Sequence, residues 1–439
     1  MKKKHIRQAL IISLSFAGVI LAGAVVWLLY PMKQIRAEDL LPADKTILFL
    51  DLPRPEDLPT LAQWFPILRE MPDPPPRSAA LVTPGNGRAE WIFFDAAFPG
   101  TAPRAHAQNE EVLKLLGSGA ALSAAADFRS LLSNDAAHTR LFLAPPSPLL
   151  PHPVILASLI ALRAPLAAER TASGITLSTF TDGTQTHRAL SPVLPLAFAH
   201  PTLVVAGSEA KQEVERIAAL LPASVTLPMH GALQQSVAEF FGPDVSMTYD
   251  IIPLLEHTSI LETGADPAME RSLFVLEGSL ADQSKNKALM EKLRSAFVRT
   301  LPVSEQVHRT FEKGRTFDDI RANPDALGER TESVNGWDVH TVRSPQMNRE
   351  FTTAHLAGRS VIGSSRTAVL AMLDGTGAVL RLPYSSAGTI VAGGLADMDT
   401  LHDLLQFFLP SAITLPRTEG AYRWSVMEEG KIVRVMIER

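Results

Sequence analysis

The chain contains no cysteine, and this absence excludes disulfide bonds, thiolate metal ligands, a cysteine nucleophile and a lipid-modified cysteine anchor. Aromatic residues make up only 6% of the sequence, so we expect a core built mainly from Leu, Val, Ile and Ala. Gly-rich phosphate-binding motifs of the dinucleotide and Walker types are also missing. The sequence therefore predicts no cofactor.

Acidic and basic residues are unevenly distributed along the chain. Residues 1–36 contain six Lys and Arg and no Asp or Glu, whereas the remainder contains 35 Lys and Arg against 46 Asp and Glu, a net charge of −11. Nucleic-acid binding needs a basic face that contacts phosphates. We therefore expect no nucleic-acid partner, and we expect anionic lipid to repel the acidic part of the chain.

One long uncharged segment is present, at residues 9–30. As a helix it would span about 33 Å, which matches a hydrocarbon core of about 30 Å, so a transmembrane helix is predicted. The alternative is a cleaved signal peptide, because Ala22-Gly23-Ala24 resembles a cleavage site. The apolar run continues through residues 25–29, and this length favours an uncleaved anchor.

The flanking cations predict the orientation of this anchor. Four cations lie within residues 1–8, whereas Lys33 and Arg36, which follow the segment, are accompanied by acidic residues. The positive-inside rule makes residues 1–8 a cytoplasmic tail, residues 31–44 a linker and residues 45–439 an extracytoplasmic part. The chain is thus predicted to be a single-pass protein of the cell membrane.

Short strands and hairpins dominate the pattern beyond residue 44. Residues 78–83 and 88–95 flank Pro84-Gly85-Asn86-Gly87, a strong hairpin turn. Residues 282–298 have the spacing of an amphipathic helix. We expect an α+β fold with mainly antiparallel sheets and short helices. Further predicted elements are strands at residues 46–51, 154–162 and 271–279, a C-terminal hairpin at 421–438, and helices at 55–71, 109–116 and 124–133.

The clearest regularity is an internal repeat, in which residues 169–208 recur as residues 329–364. Each copy contains Glu-Arg-Thr, an alternating strand, Ala-His and a Gly-Ser turn before a helical pattern. A single unit of this kind leaves an apolar sheet face exposed, which a neighbour must cover. We therefore predict a repeat-built ectodomain with lobes at residues 45–225 and 226–439, and chance similarity between short β-rich segments is the alternative.

Ser208 and Lys211 are the candidate catalytic residues. They lie three residues apart where a helical pattern begins, the spacing found in Ser/Lys acyl-transfer enzymes. The Ser-Asp-Asn and Lys-Thr-Gly elements of those enzymes are absent, and the second copy has Ser364-Ser365-Arg366-Thr367 with no lysine. We interpret Ser208 as a helix N-cap, whose hydroxyl accepts a backbone N–H bond.

Asp399, His402 and Asp403 are the candidate metal ligands, in the densest group of such residues at 397–403. Acidic residues in the first turn of a helix also stabilise its dipole, and the apolar residues that follow indicate a buried helix beginning here. We favour this structural interpretation, so no metal ion is predicted. His200 and His355 lie at equivalent repeat positions at strand ends, which the duplication explains.

Three features together resemble a bacterial family of single-span, membrane-anchored extracytoplasmic proteins of unknown function. They are the cationic start with its single span, the Leu41-Pro42-Ala43-Asp44 opening of the exported part, and the repeated strand–Gly-Ser–helix units. The resemblance covers most of residues 40–375. It implies an envelope location and a repetitive α+β ectodomain, and it implies no activity and no catalytic residue.

These observations favour a non-enzymatic envelope protein, anchored in the membrane via residues 9–30, that binds or scaffolds an envelope protein or a cell-wall partner. The alternative is an extracytoplasmic hydrolase that uses Ser208 and Lys211 or the group at 397–403. A third interpretation is an accessory subunit of an export or assembly machine, in which the transmembrane helix itself makes contacts.

Overall fold

A computed structural model provides the fold. It describes residues 35–84, 88–95, 102–132, 138–144, 165–170, 174–180, 188–208, 223–255, 259–266, 271–279, 283–301, 304–310, 316–322, 327–345, 347–386, 388–397, 399 and 420–439. The predicted anchor at residues 9–30 lies outside these ranges. Among the residues described, no helix is long and apolar enough to cross a membrane.

The regular elements are numbered in chain order. The helices are α1 (Ala37–Leu40), α2 (Leu58–Trp64), α3 (Glu110–Leu113), α4 (Ala126–Leu131), α5 (Ala223–Phe241), α6 (Gln283–Arg299) and α7 (Arg366–Asp374). The first strands are β1 (Thr46–Asp51), β2 (Ser78–Val82), β3 (Glu90–Phe94), β4 (Ala105–Ala107), β5 (Thr139–Leu143), β6 (Leu166–Arg170), β7 (Gly174–Phe180), β8 (Val193–Pro195), β9 (Pro201–Gly207), β10 (Ser259–Asp266) and β11 (Arg271–Ser279). The remaining strands are β12 (Ser304–Thr310), β13 (Thr316–Ala322), β14 (Gly328–Val334), β15 (Trp337–Ser344), β16 (Arg349–Leu356), β17 (Arg359–Gly363), β18 (Val379–Arg381), β19 (Thr389–Asp397), β20 (Ala421–Glu429) and β21 (Ile432–Glu438).

The chain divides into two compact units. Unit 1 comprises the residues up to Pro55 together with Pro72–Arg129, and unit 2 comprises Glu56–Met71 and Ser130–Arg439. In unit 1, strands β1 to β4 pair antiparallel in chain order. The breakpoints of this division differ from the predicted boundary near residue 225, and the two predicted lobes stay a prediction.

The Leu-Pro-Ala-Asp segment is packed into unit 1. Leu41 is buried, and its carbonyl accepts a bond of 2.7 Å from the N–H of Leu122. The carbonyl of Pro42 accepts the N–H and the hydroxyl of Thr46 at 3.1 and 2.7 Å. These bonds satisfy backbone groups that a loop would otherwise leave to water. Part of the range predicted as a linker therefore belongs to the folded unit.

Unit 2 is built on one continuous antiparallel sheet. Its strand order is β5-β6-β7-β21-β20-β19-β9-β10-β11-β17-β16-β15-β14. Two short ribbons, β12–β13 and β8–β18, are separate from it. All of these pairings are antiparallel, so the expectation of mainly antiparallel sheet with a few helices is confirmed.

Helices cover part of this sheet on both faces. On one face, α5 and α6 pack against Val342, Phe351 and Ile362. On the other face, α7 and the inner side of the β8–β18 ribbon pack against Val339, Val361 and their neighbours. Because consecutive residues of a strand point to opposite faces, Val361 and Ile362 enter different cores. The alternation of apolar and polar residues is therefore weak in the central strands.

Strand β9 approaches β19 closely. Its register pairs Gly394 with Val205 and Leu395 with Val204. A methyl group at Gly394 would overlap the backbone carbonyl of Val204, so only glycine fits there. The close approach continues past the end of β9, where the N–H of Ser208 donates to the carbonyl of Val391 at 2.9 Å.

Several predicted elements are present at or near the predicted bounds, including β1, the β2–β3 hairpin, β11, α6 and the C-terminal hairpin. The predicted helix at residues 55–71 is broken at its prolines into two 3₁₀ turns and α2. The predicted strand at 154–162 lies outside the described residues. Strands β10, β12, β13, β18 and β19 were not predicted, because their sequences are mixed or interrupted by glycine.

The two repeat copies share some structure and differ in part. Both begin with an antiparallel hairpin, β6–β7 in the first copy and β14–β15 in the second. Strand β16 then pairs with β17, whereas β8 pairs with β18 instead of β9. The helical pattern that follows the Gly-Ser turn of the first copy, at residues 209–221, lies outside the described residues. The duplication therefore stays a prediction.

Replacement of Gly394 by alanine should lower the free energy of unfolding by about 1–3 kcal/mol, because the added methyl group pushes β19 away from β9. Gly231→Ala is the matched control: Gly231 lies in α5 with nothing near its Cβ position, so alanine should raise the free energy of unfolding by about 0.5–1 kcal/mol. Urea unfolding followed by circular dichroism measures both. Equal stability of Gly394→Ala and the wild type would contradict the close approach.

Candidate functional site

Ser208, the predicted nucleophile or helix cap, is buried at the end of β9, with 3% of its surface exposed. Its repeat counterpart Ser364 is also buried, and the N–H of Ser364 donates to the carbonyl of Phe274 at 3.0 Å. The hydroxyl of Ser364 accepts the N–H of Phe274 at 2.9 Å. In the second copy the cap of α7 is Ser365, whose side chain accepts the N–H of Ala368. The residue that aligns with Ser208 therefore joins strands and does not cap the helix.

The predicted metal group is only partly within the described residues. Asp397 is the last residue of β19 and pairs with Ala421 of β20, whereas Asp399 is helical, so the helix predicted in this group begins after Asp397. Asp399 is half-buried. Lys211, His402 and Asp403 lie outside the described residues. Within the described ranges, no group of three or more His, Cys, Asp or Glu is arranged to hold a metal ion.

The two repeat-related histidines occupy different environments. His355 is the penultimate residue of β16, ahead of a tight turn, as predicted. His200 is exposed in a bend immediately before β9, so its prediction as a strand-end residue is wrong. The difference follows from the pairing, since β8 leaves the main sheet and the chain must turn back to enter β9.

Glu262 is a buried carboxylate in the middle of β10. One carboxylate oxygen accepts the N–H of Ala197 at 2.6 Å, and the other accepts the N–H of Phe198 at 2.7 Å. The ring of Phe198 lies against Gly264, where a side chain would collide with it. Glu262 and Gly264 therefore fix the loop between β8 and β9 on the surface of β10.

Burial raises the pKa of Glu262 above its usual value of 4.5, and the bonds from Ala197 and Phe198 oppose this rise. A buried carboxyl with a raised pKa is a feature of many active sites. Here both oxygens are engaged by backbone N–H groups of the adjoining loop. These contacts hold the loop between β8 and β9 in place, so the role of Glu262 is structural.

A second group of carboxylates lies at the start of α7. Glu350 accepts the backbone N–H of Arg366, and Glu332 accepts the guanidinium of Arg366 at 2.7 and 2.5 Å. Arg330 also contacts Glu332, at 2.8 Å. The Arg366 guanidinium lowers the pKa of Glu332. Both carboxylates are thus bonded within the fold, where they favour the helix N-terminus.

The β8–β18 ribbon exposes an apolar surface. Its cross-strand pairs are Val379 with Pro195 and Arg381 with Val193, and members of a pair share one face. Val379 is 57% exposed and Val193 46% exposed, and Tyr384 just beyond β18 is 54% exposed. We call Val193, Pro195, Val379 and Arg381 the ribbon face. The opposite side of the ribbon places Leu194 and Leu380 in the core.

Sequence reasoning missed both Glu262 and the ribbon face. The available signal for Glu262 was a glutamate flanked by Ile260, Leu261 and Thr263, residues that are common in strands. The ribbon face gave no local signal, because β8 and β18 are three residues long and far apart in the sequence.

Comparisons with family models, with curated proteins and with solved structures gave no significant match. The resemblance to membrane-anchored extracytoplasmic proteins therefore stays a prediction.

The stability of the wild type relative to Glu262→Gln should fall as pH rises from about 4.5. The raised pKa means that the folded chain binds more protons than the unfolded chain above this pH. As pH rises, the carboxyl of Glu262 contributes progressively less to the free energy of unfolding, until pH exceeds the pKa of the folded state. The glutamine side chain does not titrate. Melting temperatures of both proteins from pH 4 to about 8 measure the difference. An increase of this difference with pH would contradict the raised pKa of Glu262. Glu291→Gln, on the exposed side of α6, is the control.

Proposed function

We propose that this chain is a membrane-anchored extracytoplasmic protein that acts by binding or scaffolding and not by catalysis. The proposal combines the predicted anchor at residues 9–30 with the surface of unit 2. Its predicted location is the cell envelope, and its predicted partners are the membrane, an envelope protein or the cell wall.

The observation that carries the proposal is the ribbon face. Exposed aliphatic side chains beside an arginine and a tyrosine are typical of surfaces that bind other molecules. By contrast, the buried carboxylate of Glu262 is bonded to backbone N–H groups, and Glu332 and Glu350 are bonded to Arg366. These groups support the fold, and the ribbon face is left for recognition.

The alternative function is an extracytoplasmic hydrolase centred on Ser208. A serine nucleophile must be reachable by substrate and must contact a base. The 3% exposure of Ser208 and the strand-joining bond of its N–H to Val391 weigh against this role. We therefore rank the hydrolase second.

A fluorophosphonate probe distinguishes the two functions. Incubation of the full chain with the probe should give no labelling at Ser208, because the hydroxyl is buried, and the signal should be the same for wild type and Ser208→Ala. The heat-denatured chain measures the background. Labelling of the folded wild type that disappears in Ser208→Ala and in Lys211→Ala would overturn the proposal and establish the hydrolase.

A further inference from the structure

We propose that two copies of this chain associate through strand β14, which pairs antiparallel with β14 of the second copy. The contact continues the sheet of unit 2 from one molecule into the next. This inference goes beyond the proposed function and does not depend on the predicted anchor, because every residue that it uses lies in unit 2.

Strand β14 forms an open edge of the sheet in unit 2. Among the described strands it pairs only with β15, and five of its seven residues are exposed. Proteins commonly protect such edges with short strands, prolines, bulges or charged residues, above all lysine. Strand β14 contains no proline and no lysine, and its pairing with β15 has no bulge. Its protection would have to come from Glu329, Arg330 and Glu332, which carry charges of both signs.

The turn after β14 determines which of its backbone groups point outward. Asn335 and Gly336 form a two-residue loop in which φ is 51° and 83°, as in a type I′ turn. The carbonyl before such a turn accepts the N–H after it, so Val334 and Trp337 form a hydrogen-bonded pair. Bonded and non-bonded pairs alternate along an antiparallel ladder. Three residues of β14 therefore direct their N–H and C=O groups away from β15, namely Glu329, Thr331 and Ser333.

These outward groups match a two-fold antiparallel pair that is centred on Thr331. In this register Thr331 lies opposite Thr331 of the second copy, and Glu329 lies opposite Ser333 of the second copy. Each outward N–H then meets an outward carbonyl, so each copy donates three backbone hydrogen bonds. An interface of this kind closes on itself and uses the same surface of both copies.

The charged side chains favour the same register. It places Arg330 opposite Glu332 of the second copy, and Glu332 opposite Arg330 of the second copy. These are non-hydrogen-bonded pairs, in which side chains approach most closely, and opposite charges stabilise such pairs. The side chain of Arg330 is 61% exposed and already lies 2.8 Å from Glu332 of its own chain. The four charged groups therefore alternate in sign across the contact.

The other symmetric registers that use the outward groups are less favourable. A pair centred on Glu329 places two glutamates opposite each other, which repel. A pair centred on Ser333 places Arg330 opposite Gly336, so no carboxylate faces it. The pattern of charges thus selects a second copy of this chain in one register.

The contact is small, so the association should be reversible. A contact of one strand from each copy belongs with the small, transient interfaces between proteins. We expect dimers to form between about 10 and 100 µM. The chain diluted below this range is a monomer with a free β14 edge.

Sedimentation velocity of the full chain in detergent, from about 1 to 100 µM, measures the association. Arg330→Glu places like charges opposite each other at both ends of the contact, and it should raise the dissociation constant about ten-fold or more. Arg343→Glu is the matched control, because Arg343 is an exposed arginine on β15, away from the open edge. This control should leave the dissociation constant unchanged.

A second pair of variants tests the backbone contact. Thr331→Pro removes an outward N–H, which an edge strand tolerates, so the chain should fold and remain monomeric. Thr331→Val also lacks the hydroxyl that contacts His340, but it keeps the N–H and should still dimerise. Circular dichroism checks that both variants are folded.

The absence of cysteine allows the register itself to be tested. Only the residue on the two-fold axis lies opposite itself, so Thr331→Cys alone should form a disulfide-linked dimer under mild oxidation. Glu329→Cys and Ser333→Cys should crosslink when the two proteins are mixed, and much less when each is alone. The Cα atoms of such opposite residues lie about 5.5 Å apart, a distance that a disulfide can span.

Three outcomes would overturn the proposal. A chain that stays monomeric up to about 100 µM has no such contact, and the proposed binding function is then left in place. A dimer that persists in both Arg330→Glu and Thr331→Pro associates through another surface. If Thr331→Cys crosslinks to a different protein in intact cells and not to itself, the β14 edge binds that protein and not a second copy.

Discussion

Backbone pairing of β9 with β10 on one side and with β19 on the other joins two groups of strands into one sheet. Features around β9 serve this junction. Gly394 lets β19 approach, Glu262 and Gly264 hold the loop that enters β9, and Ser208 extends the pairing past its end. Loss of β9 would separate the groups and expose apolar surface on both. The identity of the polar residues near β9 is therefore explained by their role in folding.

This constraint shapes the functional interpretation. Buried polar groups are hydrogen-bonded in folded proteins, so a buried residue of a catalytic type whose polar atoms are bonded to backbone groups can be explained by folding alone. Glu262 is such a residue, and Ser364 shows that a Gly-Ser turn can join strands instead of activating a hydroxyl. The ribbon face is different, because its inner side satisfies the core and its outer side contributes nothing evident to folding. The proposed binding function assigns contact with another molecule to this outer side.

Local sequence signals predicted the elements whose information is local. The turn signal at Pro84–Gly87, the helical spacing of α6 and the apolar run of β1 each lie within one segment, and the paired strands β2 and β3, helix α6 and strand β1 are all present. Long-range pairing was not predictable, since nothing in Val193–Pro195 indicates β18 as its partner. The candidate site was predicted less well. The alignment of Ser208 with Ser364 bears on the role of Ser208 only because the structure identifies Ser365 as the helix cap of the second copy. Glu262 lies in β10, a strand that the search for alternating apolar and polar residues did not predict.

Hydrogen–deuterium exchange at β9 tests most directly the claim that one continuous sheet organises unit 2. Strands bonded on both sides exchange slowly along their whole length, whereas a strand bonded on one side leaves alternate N–H groups to solvent. We predict that amides of Leu203–Gly207 exchange as slowly as those of β10 and β19. Strand β14, which pairs only with β15 among the described strands, is the internal reference for fast exchange. Exchange of β9 at the rate of β14 would contradict the account and divide unit 2 into separate sheets.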